Sequence, residues 1–274
     1  MSSGGVVSWV SVSDSFRDVA VEAALQAGAF LRSRFGDPHR VSYKGSPTNL
    51  VTEMDQGAER IILETIRTRF PGHGVLAEES GAQSGAEPHR WIVDPLDGTT
   101  NYAHGLPIYG VSIALELDGV LALGVLYDPS RDECFVAERG RGASLNGDPL
   151  RVSGTASLGA SLLGTSYPND LRGAPRNNLA EHAALMQRCR SVRSLGSAAL
   201  GLAAVAAGRL DGYWEQRLGA WDVAAGALLI REAGGTVTAV DGGPLDLAAP
   251  TIAASNGQIH SELLHALKEV AASP

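Results

Sequence analysis

The sequence predicts an α+β fold of stacked helical and sheet layers, and three observations predict it. Residues up to about 70 carry apolar positions at helical spacing, short β-rich runs with hairpin turn signals fill 75–137, and strand and helix patterns alternate after 160. Each helix has an apolar stripe and each sheet an apolar face, so the two kinds of element bury one another in layers. With 274 residues, 44% of them hydrophobic, the chain can build a sizeable core. No fixed-period repeat, linker or block of like charge interrupts it. We therefore expect one unit over residues 1–274, with helices and antiparallel sheet over about 14–155 and an α/β part over about 156–274.

Residues 1–15 lack a basic segment followed by an apolar one and read as a frayed tail rather than a secretory signal. Asp14 and Ser15 can cap a helix that runs through Val19, Ala23, Leu25 and Leu31 and stops near Gly36. A second helix sets Ala58, Ile61, Ile62, Thr65, Ile66 and Phe70 on one face and ends at Pro71-Gly72. Strands are expected at 75–77, 91–93, 109–117, 120–127 and 133–137. Asp118-Gly119 suits a type I′ hairpin between the third and fourth, since both central positions need positive φ, and Asn146-Gly147 is a second such signal. The middle of the chain is thus expected to be antiparallel sheet. Further strands are expected at 161–165, 236–240 and 251–255, and helices near 179–188, 198–207, 223–232 and 259–270.

Lys and Arg number 22 against 30 Asp and Glu, a formal charge of -8. That excess of acid argues against holding nucleic acid or an anionic membrane by overall charge, so an anionic ligand needs a locally positive site. Cys134 and Cys189 are the only cysteines, which excludes a disulfide scaffold and a four-cysteine zinc site and fits a reducing cytoplasm. The longest mostly apolar uncharged run, 198–208, falls short of the roughly 18 to 20 residues that span a bilayer. There is no G-x-x-x-x-G-K-[ST] loop and no G-x-S-x-G elbow, and Gly140-Arg141-Gly142 lacks the third glycine of a dinucleotide loop.

Chemistry concentrates in two segments, Trp91-Ile92-Val93-Asp94-Pro95-Leu96-Asp97-Gly98-Thr99-Thr100 and Trp221-Asp222-Val223-Ala224-Ala225-Gly226. In the first, a buried strand ends at Asp94, where Pro95 removes a donor and Gly98 frees the backbone to turn. Asp94 and Asp97 can then aim at one point, with the Leu96 carbonyl between them. Taken alone, this string is equally a Pro-Gly turn with two solvated aspartates. Glu78-Glu79 follows a separate apolar strand, and Asp222 opens a helix, where an acid also serves as a cap. Carboxylates and carbonyls are hard donors that suit Mg, Ca or Mn, whereas zinc favours His and Cys. The seven histidines show no H-E-x-x-H or other ligand spacing, and His104 reads as a surface residue.

Asp55 in the L-V-T-E-M-D run, Glu78 in A-E-E-S, the D-P-L-D-G-T-T-N run from Asp94 to Asn101 and the W-D-V-A-A-G run from Trp221 stand in one order along the chain. With Gly196-Ser197-Ala198-Ala199 and Arg231-Glu232-Ala233-Gly234-Gly235, these motifs make the chain resemble the inositol monophosphatase family of magnesium-dependent, lithium-sensitive phosphomonoesterases, over about residues 44–257. The resemblance implies a layered α-β-α-β-α sandwich of the inositol monophosphatase and fructose-1,6-bisphosphatase type. It also implies that Glu78, Asp94 and the Leu96 carbonyl hold one metal, that Asp94, Asp97 and Asp222 hold a second, and that a third, weaker one sits near Glu78. Asp55 and Thr99 would orient the attacking water. Gly98 and Thr99 amides would face the phosphate, Gly196, Ser197 and Ala198 would wall the substrate, and Glu215 would contact its hydroxyls. Lys44 matches a loop over the site, with an exposed loop lysine as the plain alternative.

Charge supports cations independently of the resemblance. Glu78, Asp94, Asp97 and Asp222 bring negative charge to meet a phosphate monoester carrying about two more. At 4 Å each unit pair costs about 4 kcal/mol at an effective dielectric of 20, so the site repels its ligand without metal. The resulting expectation is a cytoplasmic hydrolase with two or three Mg²⁺ per site, Mn²⁺ as a substitute and Li⁺ as an inhibitor. It would act on a small phosphorylated polyol, most simply inositol 1-phosphate, and form a homodimer, without nucleic-acid or membrane partners. Histidinol phosphate and fructose 1,6-bisphosphate are alternative substrates. A bisphosphate would call on cations such as Arg172, Arg176, Arg193 or Arg217, whose other reading is solvated surface charge. A non-catalytic regulatory binding protein on the same fold is the alternative from another class.

Overall fold

The computed structural model describes residues 14–37, 40–43, 50–168, 171 and 176–271. The readings made for most of the N-terminal tail, for Lys44 and for Arg172 lie outside them. The first part of the chain runs α1 (Asp14–Arg34), β1 (Val41–Tyr43), β2 (Leu50–Thr52), α2 (Glu53–Arg69), β3 (Gly74–Ala77), β4 (Gly81–Gln83), β5 (His89–Asp97), α3 (Thr99–Ala103), β6 (Gly110–Leu117), β7 (Val120–Asp128), β8 (Glu133–Glu138), β9 (Gly142–Leu145) and β10 (Asp148–Pro149). The second part runs β11 (Leu162–Thr165), α4 (Leu179–Met186), β12 (Ser191–Ser194), α5 (Ala198–Ala206), β13 (Gly212–Glu215), α6 (Ala220–Glu232), β14 (Thr236–Thr238), β15 (Ile252–Ser255) and α7 (His260–Ala271).

Strands β3–β10 form an eight-stranded sheet of order β10-β9-β8-β7-β6-β5-β3-β4, and β11–β15 a five-stranded sheet of order β12-β11-β13-β15-β14. Asp118-Gly119 and Asn146-Gly147 all have positive φ and close the β6–β7 and β9–β10 hairpins. One departure from the expected antiparallel sheet matters for the site: β3 pairs with β5 in parallel, Ala77 opposite Val93. The second sheet is mixed, with β11 parallel to β12 and β13.

Side-chain alternation along the strands sorts the core into layers. Trp91 and Val93 face α1 and α2, where they meet Ala23, Leu31, Ile62 and Ile66. Ile92, Leu126 and Phe135 face the opposite way, onto Leu202 of α5 and Leu228 and Ile230 of α6. The same two helices cover one face of the second sheet through Tyr213 and Ile252. Trp214 and Ala253 on its other face pack against Leu185 of α4 and Leu263 and Leu267 of α7. The order of layers is helix, sheet, helix, sheet, helix. The middle layer is thin because α6 is built of small residues: a Cβ on Gly226 would lie 2.5 Å from Leu202, and one on Gly124 of β7 would lie 2.9 Å from the Ala225 carbonyl.

Helix α2 starts at Glu53, earlier than its apolar face at Ala58 indicates, because a cap decides the boundary. The Met54 amide donates to Thr52 Oγ1 at 3.1 Å, and the Asp55 carboxylate accepts from the Thr52 amide at 2.7 Å. Among the described residues, no helix is long and apolar enough to cross a membrane.

Candidate active site

Because β3 and β5 are parallel neighbours, Glu78 after one strand and Asp94 near the end of the other arrive at the same sheet edge. The Glu78 amide donates to the Val93 carbonyl at 3.1 Å. Residues three apart on a regular strand face opposite sides, but β5 carries a bulge between Asp94, opposite Ser112, and Asp97, opposite Gly110. The extra residue returns Asp97 to the face of Asp94. Pro95 forgoes a ladder donor there, and the Leu96 amide instead donates to Asp94 Oδ1 at 3.0 Å. From the far side comes Asp222 in the first turn of α6, its Oδ2 accepting from the Gly219 amide at 2.5 Å. Carboxylate oxygens of Asp94, Asp97 and Asp222 all lie within 4.8 Å of one another.

These acids repel. Asp94 is 1% exposed, and burial, then Glu78, Asp97 and Asp222, push its carboxyl well above the usual range. Burial, then Asp97 and Glu78, does the same to Asp222. Asp97 is raised to about 6 by burial, held down from a higher value by the Ser197 hydroxyl and the Ala199 and Ala198 amides that donate to it. A converging set of hard oxygen donors, destabilised as anions by one another, fits a divalent cation such as Mg²⁺ in both chemistry and charge.

Beside this group Asp55 and Thr99 meet. Thr99 Oγ1 is 2.9 Å from Asp55 Oδ1 and 3.0 Å from the Leu96 carbonyl, so its single proton has two acceptors within reach. Burial raises the Asp55 carboxyl, against hydrogen bonds from Thr52 and Thr99. Thr99 opens the short helix α3, and Gly98 before it has φ 86. A side chain at 98 would be doubly excluded, by that angle and by the Ile108 carbonyl 2.8 Å from its Cβ.

The opposite wall is the start of α5. Ser197 caps it by accepting from the Leu200 amide at 3.2 Å and donates its hydroxyl to Asp97, which also accepts from the Ala199 amide at 2.9 Å and the Ala198 amide at 3.3 Å. Asn101 fastens this wall to the acidic motif, its Nδ2 lying 2.8 Å from both the Ile108 and Leu195 carbonyls. Glu215 on β13 is buried, accepts from the Tyr213 hydroxyl on the same strand face, and is raised to about 8 chiefly by burial.

Most of these parts line one cleft of about 720 Å³. It brings together Glu78, Asp94, Leu96, Asp97, Gly98, Thr99, Gly196, Ser197, Ala198, Glu215 and Asp222, with Asp55 reaching it through Thr99. Lys44 lies outside the described residues. Of the arginines named from the sequence, Arg217 lines the cleft with a φ of 62, while Arg176 and Arg193 are exposed and do not line it. Sequence reasoning left unassigned Asn101, Tyr213 and Glu59, whose carboxylate accepts from the Glu79 and Ser80 amides at 2.9 and 3.0 Å. It also missed the meeting of His73, Glu87 and His89, which no sequence spacing announces. There the Trp91 indole donates to His73 Nδ1 at 3.0 Å, so the proton of the neutral ring sits on Nε2, the nitrogen that faces the other two residues. That tautomer offers them a donor, where a zinc ion would need a lone pair.

The chain matches the inositol monophosphatase family over residues 13–272. An inositol-1-monophosphatase of Synechocystis is 48% identical over 91% of this chain and 88% of its own length. The Nus factor SuhB of Escherichia coli is 41% identical over 92% of this chain and 95% of its own. The solved inositol monophosphatase of Anabaena superposes with a TM-score of 0.85 at 47% identity, covering 93% of this chain and 96% of that one. With the layered α+β fold and the acidic cleft, these likenesses make the chain a member of the inositol monophosphatase family, a family of phosphatases.

Proposed function

We propose that the protein is a Mg²⁺-dependent phosphomonoesterase acting on a small polyol phosphate, with inositol 1-phosphate the first candidate. The observation that most supports this is the convergence of Asp94, Asp97 and Asp222 in a cleft whose wall carries a buried Glu215. Glu78, Asp94, the Leu96 carbonyl, Asp97 and Asp222 are the residues that would hold the ions. Bound there, Mg²⁺ supplies the positive charge that a phosphate dianion needs and makes water more acidic. The chain's own groups do the rest: Asp55, with the Thr99 hydroxyl on one oxygen, orients the attacking water and accepts its proton. Amides of Gly98 and Thr99 receive phosphate oxygens, and Glu215 with the Gly196–Ala198 wall receives the polyol hydroxyls. The same reading takes water as the direct nucleophile, one domain over residues 1–274, a cytoplasmic homodimer, and inhibition by Li⁺.

Phosphate release from inositol 1-phosphate, histidinol phosphate and fructose 1,6-bisphosphate, with Mg²⁺, without it, and with added Li⁺, tests the proposal. Mg²⁺-dependent, Li⁺-sensitive release fastest from inositol 1-phosphate is expected, and silence across the panel would overturn it. The relatives named Nus factor SuhB favour a second reading, a regulatory binding role on the same fold. That role is expected to survive loss of Asp97, whereas turnover is not.

A further inference from the structure

We infer that Glu59 is a positioning residue for the metal-binding acid Glu78, acting through the backbone of the turn that carries it; the inference rests on the metal site proposed above. Strand β3 reverses into β4 through Glu78, Glu79 and Ser80, with Ala77 paired to Gly81. Each N–H of this turn has an acceptor. Glu78 donates to Val93 O at 3.1 Å, Glu79 to Glu59 Oε2 at 2.9 Å and Ser80 to Glu59 Oε1 at 3.0 Å. The first anchor ties the turn to β5, the strand of Asp94. The other two tie it to α2.

A carboxylate is an acceptor at both oxygens, so one fork can take two successive amides. Glu59 is 5% exposed, and it stands one helical turn after Asp55. Positions i and i+4 share a helix face. One face of α2 therefore serves the site twice, through Asp55 on Thr99 and through Glu59 on the Glu78 turn. Without the fork, two part-buried amides lose these acceptors and the turn that carries Glu78 loses its tie to α2. The Glu78 carboxyl, which meets Asp94, is then held less firmly in the proposed ligand set.

The test is Mn²⁺ binding to the full chain without substrate, read by the electron paramagnetic resonance of free Mn²⁺. Glu59→Gln has the same shape but sets an NH₂ against one amide. It is expected to weaken Mn²⁺ binding by about 10- to 100-fold, the usual cost of removing a ligand's support. Glu59→Asp keeps the charge but is too short to reach both amides, and is expected to lose affinity likewise. Glu64→Gln removes the same charge from an exposed position of α2 and is expected to leave binding unchanged. Added acetate is expected to restore affinity to Glu59→Ala, because a side cleft lined by Glu59, Arg60, Glu79 and Ser80 admits it. Wild-type affinity in folded Glu59→Gln or Glu59→Asp overturns the inference alone. Absence of Mn²⁺ binding in the wild type overturns it together with the proposed metal site.

Discussion

Thr99 Oγ1 stands 2.9 Å from Asp55 Oδ1, between residues 44 apart in the chain. The second oxygen of Asp55 is fully engaged, accepting from the amide and the hydroxyl of Thr52, each at 2.7 Å. Clamped on one side by the cap of its own helix, the carboxylate turns its other oxygen to Thr99, which lines the cleft. Asp55→Asn and Thr99→Ala are therefore expected to lower kcat far more than they raise KM, with Asp55→Asn losing roughly 10²- to 10⁴-fold, the range for a positioned acid or base. Steady-state phosphate release separates the two constants, and a change confined to KM would reject the role.

Asp97 carries two duties at once. It converges with Asp94 and Asp222, and it accepts three hydrogen bonds from the start of α5. Asp97→Asn is expected to abolish Mg²⁺-dependent turnover while the melting temperature moves by only a few degrees, since relief of like-charge repulsion offsets the weakened anchor. Near-normal turnover would sink the assignment of Asp97 as a ligand.

Divalent cation is expected to stabilise the wild type. A ligand that binds only the folded state contributes about 2.7 kcal/mol at a hundredfold excess over Kd, which raises the melting temperature of a chain this size by several degrees. Differential scanning fluorimetry with Mg²⁺ and with a chelator measures the shift. Its persistence in Asp97→Asn would place the ion elsewhere.

Glu215 predicts a pH dependence of stability. Its carboxyl is raised to about 8 in the folded chain, mainly by burial, from an ordinary value of 4.5. Between these values the folded state binds more protons than the unfolded state. The contribution is therefore fully present below 4.5 and is lost as pH rises toward 8, by roughly 3 kcal/mol between pH 4.5 and 7. Glu215→Gln cannot ionise, so metal-free wild type is expected to lose stability relative to this variant as pH climbs from 5 to 8.5. Parallel melting curves across that range would contradict it.

Much of this was legible in the sequence where local chemistry decides local structure. Pro95 and Gly98 predict that Asp94 and Asp97 aim at one point, although β5 runs on through a bulge to Asp97 rather than ending at Asp94, and Asp118-Gly119 marks its hairpin by the φ it demands. The rest depends on partners far along the chain. The β3–β5 pairing skips β4, so proximity in sequence points to the wrong neighbour for Glu78. Strand β12 is a short edge strand whose extended form is set by its pairing with β11. The first turn of α2 is polar, so an apolar periodicity cannot find it, although the Thr52–Asp55 cap can. Glu59 looks like any solvated helix acid until the turn it holds is folded against it.

Small residues in α6 have a reach beyond packing. Asp222 hangs from that helix, while Asp94 and Asp97 hang from the sheet beneath it, so the girth of the helix acts as a shim that sets the gap between them. A methyl group added at Gly124 of β7, pressed against the Ala225 carbonyl of α6, would alter that gap without touching any acid. An ion-binding defect can thus be inherited from a position that meets neither ion nor substrate. A protein engineer wanting to widen the acidic cluster has a handle in the shim as well as in the acids.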